Sequence, residues 1–262
     1  MNELTLTAGS ATVVIDADRG GRLASFEVGG HQLLVVDPTD DPLLWGSYPM
    51  VPFAGRVRGG RFRFRDQDVA LPHNLGPHAI HGYGFTSVWE VVDDNSLRLA
   101  LPEPWPFRST AAQRFELDDA GLTMRLSVTA HEAMPVQLGW HPWFQRFLTA
   151  ADGGRVEADL RFGPAQMYAM DDAGMPTGEL VAQPEGPWDN CFVDLARTPT
   201  ISWPGLVDLT LTSGCDHWVV YTEPIHGLCV EPQTAAPDVF NREPEVLEAD
   251  ETRTAWFRIA WA

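Results

Sequence analysis

Short stretches in which apolar and polar residues alternate, separated by glycine and proline, run along the whole chain. Alternation with a period of two is typical of a β-strand with one buried face. The alternating stretches are residues 4–7, 12–15, 22–28, 31–36, 56–58, 61–65, 96–101, 113–117, 122–130, 155–162, 207–212, 217–222, 228–231 and 254–261. We find no convincing run of apolar residues at helical spacing, and the 21 prolines and 23 glycines would interrupt most helices. The pattern therefore predicts an all-β fold, either a sandwich or a barrel.

Two glycine pairs are predicted to form hairpin turns. Gly29-Gly30 separates stretch 22–28 from stretch 31–36, and Gly59-Gly60 separates two arginine-rich stretches in the same manner. Both residues of such a pair can adopt positive φ without strain, as tight hairpin turns require. No linker-like, low-complexity or repeated segment divides the chain, so we expect one domain covering residues 1–262.

The charge balance disfavours several classes of partner and of chemistry. The chain carries 36 acidic and 18 basic residues, a formal charge of −18, and so repels nucleic-acid backbones and anionic lipid surfaces. We therefore expect no nucleic-acid and no membrane partner. All 18 basic residues are arginine. Schiff-base catalysis, the P-loop and the protein-kinase site each need a lysine amine, so these functions are excluded.

The cysteines and the N-terminus indicate a cytoplasmic protein. Cys191, Cys215 and Cys229 form neither a CxxC motif nor a zinc-knuckle spacing, and we expect them to be free thiols. The N-terminus lacks the basic and apolar regions of a signal peptide. The longest uncharged stretch, residues 42–55, contains three prolines and two glycines, so it is not expected to span a membrane.

Arginines are concentrated just after residue 55. Arg61, Arg63 and Arg65 alternate with phenylalanines, and we interpret them as the solvent-facing side of one strand rather than as a nucleic-acid patch. Arg56 differs, because it follows the apolar segment 52–55 and its guanidinium could reach a ligand oxygen.

Three histidines lie within nine residues, at positions 73, 78 and 81. Imidazole is a common ligand of zinc and iron. The segment lacks the cupin metal pattern and has no carboxylate at ligand spacing, so no metal site is predicted. His81, beside a glycine and a predicted strand, is the histidine that we expect to face a cleft.

His141 lies among aromatic residues at the end of a predicted strand. It is either a structural histidine bonded to the backbone or a proton donor in an apolar cleft. In the second case Trp140, Trp143 or Phe144 could supply a flat wall for a sugar ring.

Two carboxylates are also candidates. Asp189 follows Trp188 and is either a hydrogen-bond acceptor beside an aromatic face or a residue that shapes a turn. Glu231 ends an apolar strand, which Pro232 is predicted to close. A carboxylate in apolar surroundings has a raised pKa, so Glu231 is either a general acid–base group or a strand-end glutamate that turns to water.

Taken in this order, these segments resemble the aldose 1-epimerase family. The matching motifs are P-F-A-G-R-V-R-G-G-R-F (52–62), I-H-G (80–82), G-W-H-P-W-F (139–144), W-D-N-C-F (188–192) and E-P-Q-T (231–234), with Pro237 and Asn241. Each motif is short, but five in order at family-like spacing are a specific match, and the flanking strands extend it over nearly the whole chain. The resemblance implies a large antiparallel β-sandwich, the galactose mutarotase-like supersandwich. It also implies interconversion of the α and β anomers of an aldose without a cofactor or a metal.

The resemblance further implies a role for each matching residue. Glu231 would take the proton from the C1 hydroxyl, and His141 would protonate the ring oxygen as the ring opens. His81 would hold or assist at the ring-oxygen end of the sugar, while Arg56 and Asp189 would bind ring hydroxyls. The expected catalytic residues are thus Glu231, His141 and His81, and the expected substrate-binding residues are Arg56, Asp189, Trp143 and Trp188. The expected partner is a small-molecule sugar, bound by a monomer or a homodimer.

One departure from the family pattern bears on the substrate. Phe85 stands where members that act on hexose 6-phosphates tend to carry an arginine, and the loss of that guanidinium favours a free hexose. The alternatives are a hexose-6-phosphate 1-epimerase and a non-catalytic carbohydrate-binding protein of the same fold. A glycoside hydrolase that uses Asp189 and Glu231, or a metal-dependent β-barrel enzyme, would be a more distant possibility.

Overall fold

A computed structural model of the protein describes residues 2–36, 40–163 and 165–262. In this part of the chain most strands belong to two large antiparallel sheets. The first has eleven strands, in the spatial order β1 (Glu3–Ala8), β2 (Ala11–Asp16), β3 (Arg22–Val28), β5 (Ser47–Met50), β15 (Gly139–Gln145), β25 (Gly227–Gln233), β24 (His217–Tyr221), β21 (Asp189–Val193), β19 (Gln166–Met170) and β20 (Pro176–Ala182), with β4 (His31–Gln32) paired to β3.

The second sheet has eight strands, in the order β10 (Glu90–Asp93), β11 (Ser96–Ala100), β12 (Ser109–Asp118), β13 (Gly121–Ala130), β27 (Thr252–Trp261), β23 (Val207–Ser213), β22 (Thr200–Trp203) and β18 (Asp159–Arg161). Four two-stranded pairs complete the strands: β14 (Met134–Val136) with β26 (Glu245–Leu247), β16 (Phe147–Thr149) with β17 (Arg155–Glu157), β6 (Arg56–Val57) with β9 (Ala79–Ile80), and β7 (Arg61–Phe64) with β8 (Gln67–Ala70). Three short 3-10 turns cover Arg58–Gly60, Gly84–Thr86 and Val239–Asn241. Within the described ranges, no helical segment has the length and apolar character needed to cross a membrane.

The two large sheets pack face to face around one apolar core. Trp140 of the first sheet lies 6.0 Å, centroid to centroid, from the ring of Phe257 in the second. Trp218 contacts the same phenylalanine at 6.3 Å, and at the far side Phe26 meets Trp261 at 5.7 Å. Side chains of alternate residues from both sheets fill the space between them, as in other β-sandwiches. The predicted all-β sandwich is therefore confirmed.

The two predicted glycine hairpins have opposite outcomes. Gly29-Gly30 does connect two paired strands, with Val28 opposite His31. The prediction for Gly59-Gly60 is wrong, because Arg56 pairs with Ile80 and Arg61 pairs with Ala70. Each strand beside the glycine pair thus has a different partner, and the glycines form a 3-10 turn. The arginine side chains of the strand that follows this turn are exposed, as expected for a solvent-facing side.

Three strand boundaries also differ from the alternation. Stretch 31–36 forms a strand only over its first two residues, and stretch 155–162 divides into β17 and β18. Strand β25 does not end at Glu231 but continues through Pro232, which pairs with Trp218 on β24. On the other side, β25 pairs with β15 at Gly139 and Trp143 but not between them. Proline is tolerated here because the ladder to β15 is open where its missing N–H would be needed.

Candidate active site

The outward face of the first sheet carries a row of functional side chains. His141 on β15 pairs with Tyr48 on β5, and Val219 on β24 pairs with Glu231 on β25. The register of β15 against β25, set by Gly139 opposite Gln233, places His141 directly opposite Glu231. Because alternate residues of a strand point to opposite faces, the neighbouring positions carry side chains of the sandwich core instead.

His141 and Glu231 form a close buried pair. Nε2 of His141 lies 3.1 Å from Oε1 of Glu231, and the side chains are only 7% and 2% exposed. The other carboxylate oxygen, Oε2, accepts a hydrogen bond of 3.2 Å from Nε2 of Gln233. Two groups that can exchange protons therefore lie side by side with little access to water.

Burial shifts the pKa values of these two groups in opposite directions. Burial, with a smaller contribution from the positive charge of Arg22, lowers the pKa of His141 from 6.5 to about 3. Burial also raises the pKa of Glu231 well above its usual range, and the negative charge of Asp189 adds to this effect. Both shifts favour the uncharged forms, because a charge is costly in this low-dielectric setting. The carboxyl group, rather than the imidazole, is therefore favoured to hold the proton that the pair shares.

Aromatic stacking, rather than a hydrogen bond on the far ring nitrogen, holds the imidazole of His141. Tyr48 stacks on it with centroids 4.8 Å apart and planes at 20°, and Trp143 lies against it at 5.4 Å and 28°. Among the described residues, Nδ1 of His141 has no hydrogen-bond partner. Both flanking rings are themselves fixed to the carbonyl of Leu43, which accepts bonds from Trp143 Nε1 (2.7 Å) and from the Tyr48 hydroxyl (3.3 Å).

His81 reaches the same place from a loop that crosses the sheet face. Its backbone N–H donates to the carbonyl of Gly55 (3.1 Å), and the N–H of Gly55 donates to Nδ1 of the imidazole (3.2 Å). Since Nδ1 accepts, the neutral ring carries its hydrogen on Nε2. The ring centroid lies 5.1 Å from that of His141, in a perpendicular arrangement. Burial lowers the pKa of His81 well below its usual value, so the ring is a neutral donor.

The backbone around His81 is tightly constrained. His81 and Gly82 have φ values of +63° and +68°, in the left-handed region. A Cβ atom at position 82 would lie 2.1 Å from the carbonyl oxygen of Val51, so only glycine fits. The I-H-G motif thus fixes the imidazole through the backbone on both sides.

Arg56 and Asp189 form an ion pair at the rim of the site. Nη2 of Arg56 donates to Oδ2 of Asp189 over 3.0 Å, and Nη1 donates to the carbonyl of Gly174 over 3.4 Å. The side chains are 26% and 36% exposed, so the pair is open to a ligand on one side. Of two adjacent hydroxyl groups on a ligand, one can accept a hydrogen bond from the guanidinium and the other can donate one to the carboxylate.

These side chains surround a cavity of about 250 Å³. Its polar lining includes Arg56, His81, His141, Asp189, Glu231 and Gln233. Its apolar lining includes Leu43, Leu44, Leu75, Ile80 and Trp143. A few convergent polar groups among apolar walls are typical of a site for a small polar ligand.

The structure brings six of the seven predicted site residues to this cavity, and Trp188 is the exception. Its ring packs edge-on against Phe162 at 5.3 Å and Phe192 at 6.0 Å, and its indole N–H donates to Pro184. Trp188 directly precedes Asp189, so alternation turns it away from the cavity. Trp140 and Phe144, the other two possible aromatic walls, likewise face the sandwich core.

Four polar residues that sequence reasoning missed also line the cavity: Asp41, Tyr48, Tyr221 and Gln233. Gln233 belongs to the E-P-Q-T motif, and its position two residues after Glu231 could have indicated the same face. Nothing in the local sequence distinguishes Tyr48 from a core residue. Of the three clustered histidines, His73 and His78 bond instead to the backbone of Gly59.

Three of the described residues could together hold a metal ion. The ligand atoms of His141, Cys229 and Glu231 lie within 4.8 Å of one another, and all three residues are buried. Cys229 lies opposite Trp143 on the same sheet face.

Fold and cavity together define an all-β protein with a buried histidine–glutamate pair at a cavity lined by polar side chains. The family model described as Aldose 1-epimerase matches residues 2–260. YphB of Escherichia coli is 33% identical over 152 residues, which are 55% of this chain and 52% of that protein, so the match spans about half the length of YphB. The chain therefore belongs to the aldose 1-epimerase family, as its motifs predicted.

Solved structures agree with this assignment at the level of the fold. A galactose mutarotase-like protein from Clostridium acetobutylicum superposes with a TM-score of 0.83 at 18% identity, over 98% of this chain and 94% of that one. Galactose 1-epimerase from Lactobacillus acidophilus gives a TM-score of 0.80 at 16% identity, over 99% and 94%. The predicted galactose mutarotase-like sandwich is thus confirmed.

Proposed function

We propose that this protein is an aldose 1-epimerase that interconverts the α and β anomers of a free hexose, with Glu231 and His141 as the acid–base pair. The observation that carries the proposal is the 3.1 Å contact between these two groups at the wall of a cavity lined by further hydrogen-bonding side chains. Anomerisation removes a proton from one oxygen and delivers one to another, so it needs a base and an acid next to each other.

The reaction begins with the transfer of the shared proton from Glu231 to His141. Carboxylate Glu231 then takes the proton from the C1 hydroxyl while imidazolium His141 protonates the ring oxygen. The bond between C1 and the ring oxygen breaks, and C1 becomes an aldehyde. After rotation about C1–C2, the ring oxygen attacks the other face of the aldehyde, and both proton transfers reverse. The pair ends with the single proton with which it began, and neither step needs a hydride or electron acceptor.

The other cavity residues hold the sugar during this rotation. His81 donates from Nε2 near the ring oxygen, because its perpendicular ring lies beside that of His141. Arg56 and Asp189 bind hydroxyl groups farther from C1. The indole of Trp143 stacks on the rings of His141 and His226, so it acts on the sugar by holding His141 in place. Such fixed contacts keep the open-chain aldehyde in place until it closes again.

The charges of the cavity favour a free hexose over a hexose phosphate. Among the described residues that line the cavity, Arg56 carries the only guanidinium, and Asp189 already engages it. Phe85 is buried against Tyr48 and offers no charge. A phosphate would therefore meet no uncommitted cation there.

The test is polarimetry on freshly dissolved α-D-glucose and α-D-galactose. The wild type should accelerate the relaxation to an unchanged equilibrium, and Glu231→Gln should lower the catalysed rate by about 10²–10⁴-fold, the usual contribution of general acid–base catalysis. Glu185→Gln, at an exposed glutamate, is the matched control and should behave as the wild type. Acceleration that survives Glu231→Gln would remove Glu231 from this role.

Three further assays separate the alternatives. Acceleration with α-D-glucose 6-phosphate and not with the free sugars would indicate a phosphosugar epimerase. Binding of a hexose by calorimetry with no acceleration of any sugar would indicate a binding protein. Release of reducing sugar from glycosides, with His141→Ala still active, would indicate a hydrolase.

A further inference from the structure

Cys229 lies next to the proton-transfer pair but takes no part in the proposed reaction. It precedes Glu231 by two residues on β25, so alternation puts its thiol on the same sheet face as the carboxylate. The thiol is fully buried, and the sulfur, a ring nitrogen of His141 and a carboxylate oxygen of Glu231 all lie within 4.8 Å of one another.

One nitrogen, one sulfur and one oxygen at this spacing are a donor set that suits zinc. Zinc in proteins is four-coordinate, with thiolate, imidazole and carboxylate ligands, and its bond lengths put the ligand atoms of a tetrahedron about 3.3–3.8 Å apart. The His141–Glu231 distance of 3.1 Å is close to that range already. Separations in the cluster reach 4.8 Å at most, so closing them to this range requires a shift of no more than about 1.0–1.5 Å. His141 and Glu231 both line the cavity, from which water could supply the fourth ligand.

We propose that His141, Cys229 and Glu231 form a binding site for Zn²⁺ and similar thiophilic divalent cations, and that the bound metal blocks the epimerase reaction. The metal would occupy the lone pairs through which Glu231 and His141 exchange protons with the sugar. A thiolate and a carboxylate together balance the charge of a divalent ion, which a buried site requires. The blocking effect rests on the proposed function, whereas the metal site does not.

The donor set also predicts which cations do not bind. Mg²⁺ and Ca²⁺ prefer six or more oxygen ligands, and a thiol is a poor ligand for either. Sugar and zinc would compete for the same two groups, so inhibition should weaken as the hexose concentration rises.

Cobalt(II) is a direct probe of the site, because a thiolate bound to Co²⁺ gives a near-ultraviolet charge-transfer band. The wild type should develop this band on addition of Co²⁺ and lose it on addition of Zn²⁺. Cys229→Ser should lack the band and bind zinc more weakly than the wild type, because it removes one of the three ligands. Cys215→Ser changes a buried thiol outside the cluster and should behave as the wild type. Absence of the band from the wild type, or its persistence in Cys229→Ser, would overturn the metal site.

Polarimetry in the presence of Zn²⁺ or Mg²⁺ tests the block. Micromolar Zn²⁺ should suppress the acceleration by wild type and by Cys215→Ser, and Mg²⁺ should not. A cobalt band with no inhibition by zinc, or a rate that zinc increases, would overturn the block. A cobalt band in a protein that accelerates no sugar would leave the metal site standing and contradict the proposed epimerase function instead.

Discussion

Replacement of His141 by phenylalanine should make the protein less sensitive to acid. Burial lowers the pKa of His141 from 6.5 to about 3 in the folded protein, whereas the imidazole of the unfolded chain keeps its ordinary pKa. Between these two values the unfolded chain binds a proton that the folded protein does not bind. The free energy of unfolding therefore decreases as the pH falls through this window. Phenylalanine has no proton to bind, and its ring can occupy the space between Tyr48 and Trp143.

The size of the effect follows from the shift. Each pH unit inside the window is worth about 1.4 kcal/mol, and pH 5 lies 1.5 units below the upper limit of 6.5 (6.5 − 5 = 1.5). The contribution of His141 at pH 5 is therefore a loss of about 2 kcal/mol. Because the side chain is only 7% exposed, solvent screening reduces this figure little.

Urea unfolding at pH 7 and at pH 5 measures this loss. Wild type should lose about 2 kcal/mol more than His141→Phe between the two pH values. His131→Gln, at an exposed histidine, is the control and should follow the wild type. Equal losses in wild type and His141→Phe would refute the argument. A wild type that gains stability relative to the variant at pH 5 would show instead that His141 is an imidazolium paired with a charged Glu231.

Three other substitutions test the supports of the site. Arg22→Met removes the donor to the carbonyls of Arg19, Pro42, Trp45 and Phe85, and the bonds to the last two are buried. Since each unpaired buried carbonyl costs about 1–3 kcal/mol, urea unfolding should show a loss of at least ~2 kcal/mol. A loss below ~1 kcal/mol would contradict this role. Trp143→Phe should retain more of kcat than Trp143→Leu, because only phenylalanine keeps a ring against His141. Equal kcat values for the two variants, measured by polarimetry, would count against the view that stacking holds the imidazole of His141. Arg56→Gln should raise KM about tenfold or more with a smaller change in kcat, since a charge-assisted hydrogen bond is worth about 1.5–3 kcal/mol. An unchanged KM would remove Arg56 from sugar binding.

The strands were predictable from the sequence because alternation is a local signal. Strand β3 covers residues 22–28 as predicted, and Gly29-Gly30 makes the predicted turn into the strand that pairs with it. The pairing of distant strands has no such local signal. Gly59-Gly60 looks equally suited to a hairpin, yet Arg56 pairs with Ile80, and nothing near the glycines shows that a later strand competes for the same edge.

The candidate site was predictable in its residue types but not in its geometry. His141 and Glu231 are ninety residues apart, and only the register of β15 against β25 brings them opposite each other. The family motifs supplied this juxtaposition as an expectation, without a distance or a burial. The orientation of Trp188 follows only once β21 is known, because Trp188 directly precedes the first residue of that strand, Asp189, and adjacent residues face opposite sides of a sheet. The alternation pattern predicts no strand at this position.

Alternation also explains how the sheet tolerates the proposed site. His141 and Glu231 are buried with shifted pKa values, and each therefore reduces the stability of the fold over part of the pH range. Their neighbours along the strands point the other way, into the sandwich core, where Trp140 packs on Phe257 and Val230 is fully buried. The same two strands thus hold both the groups that reduce stability and the groups that restore it. Because β15 is paired with β5 at His141 and β25 is paired with β24 at Glu231, the two side chains are held in one geometry that a mobile loop could not maintain.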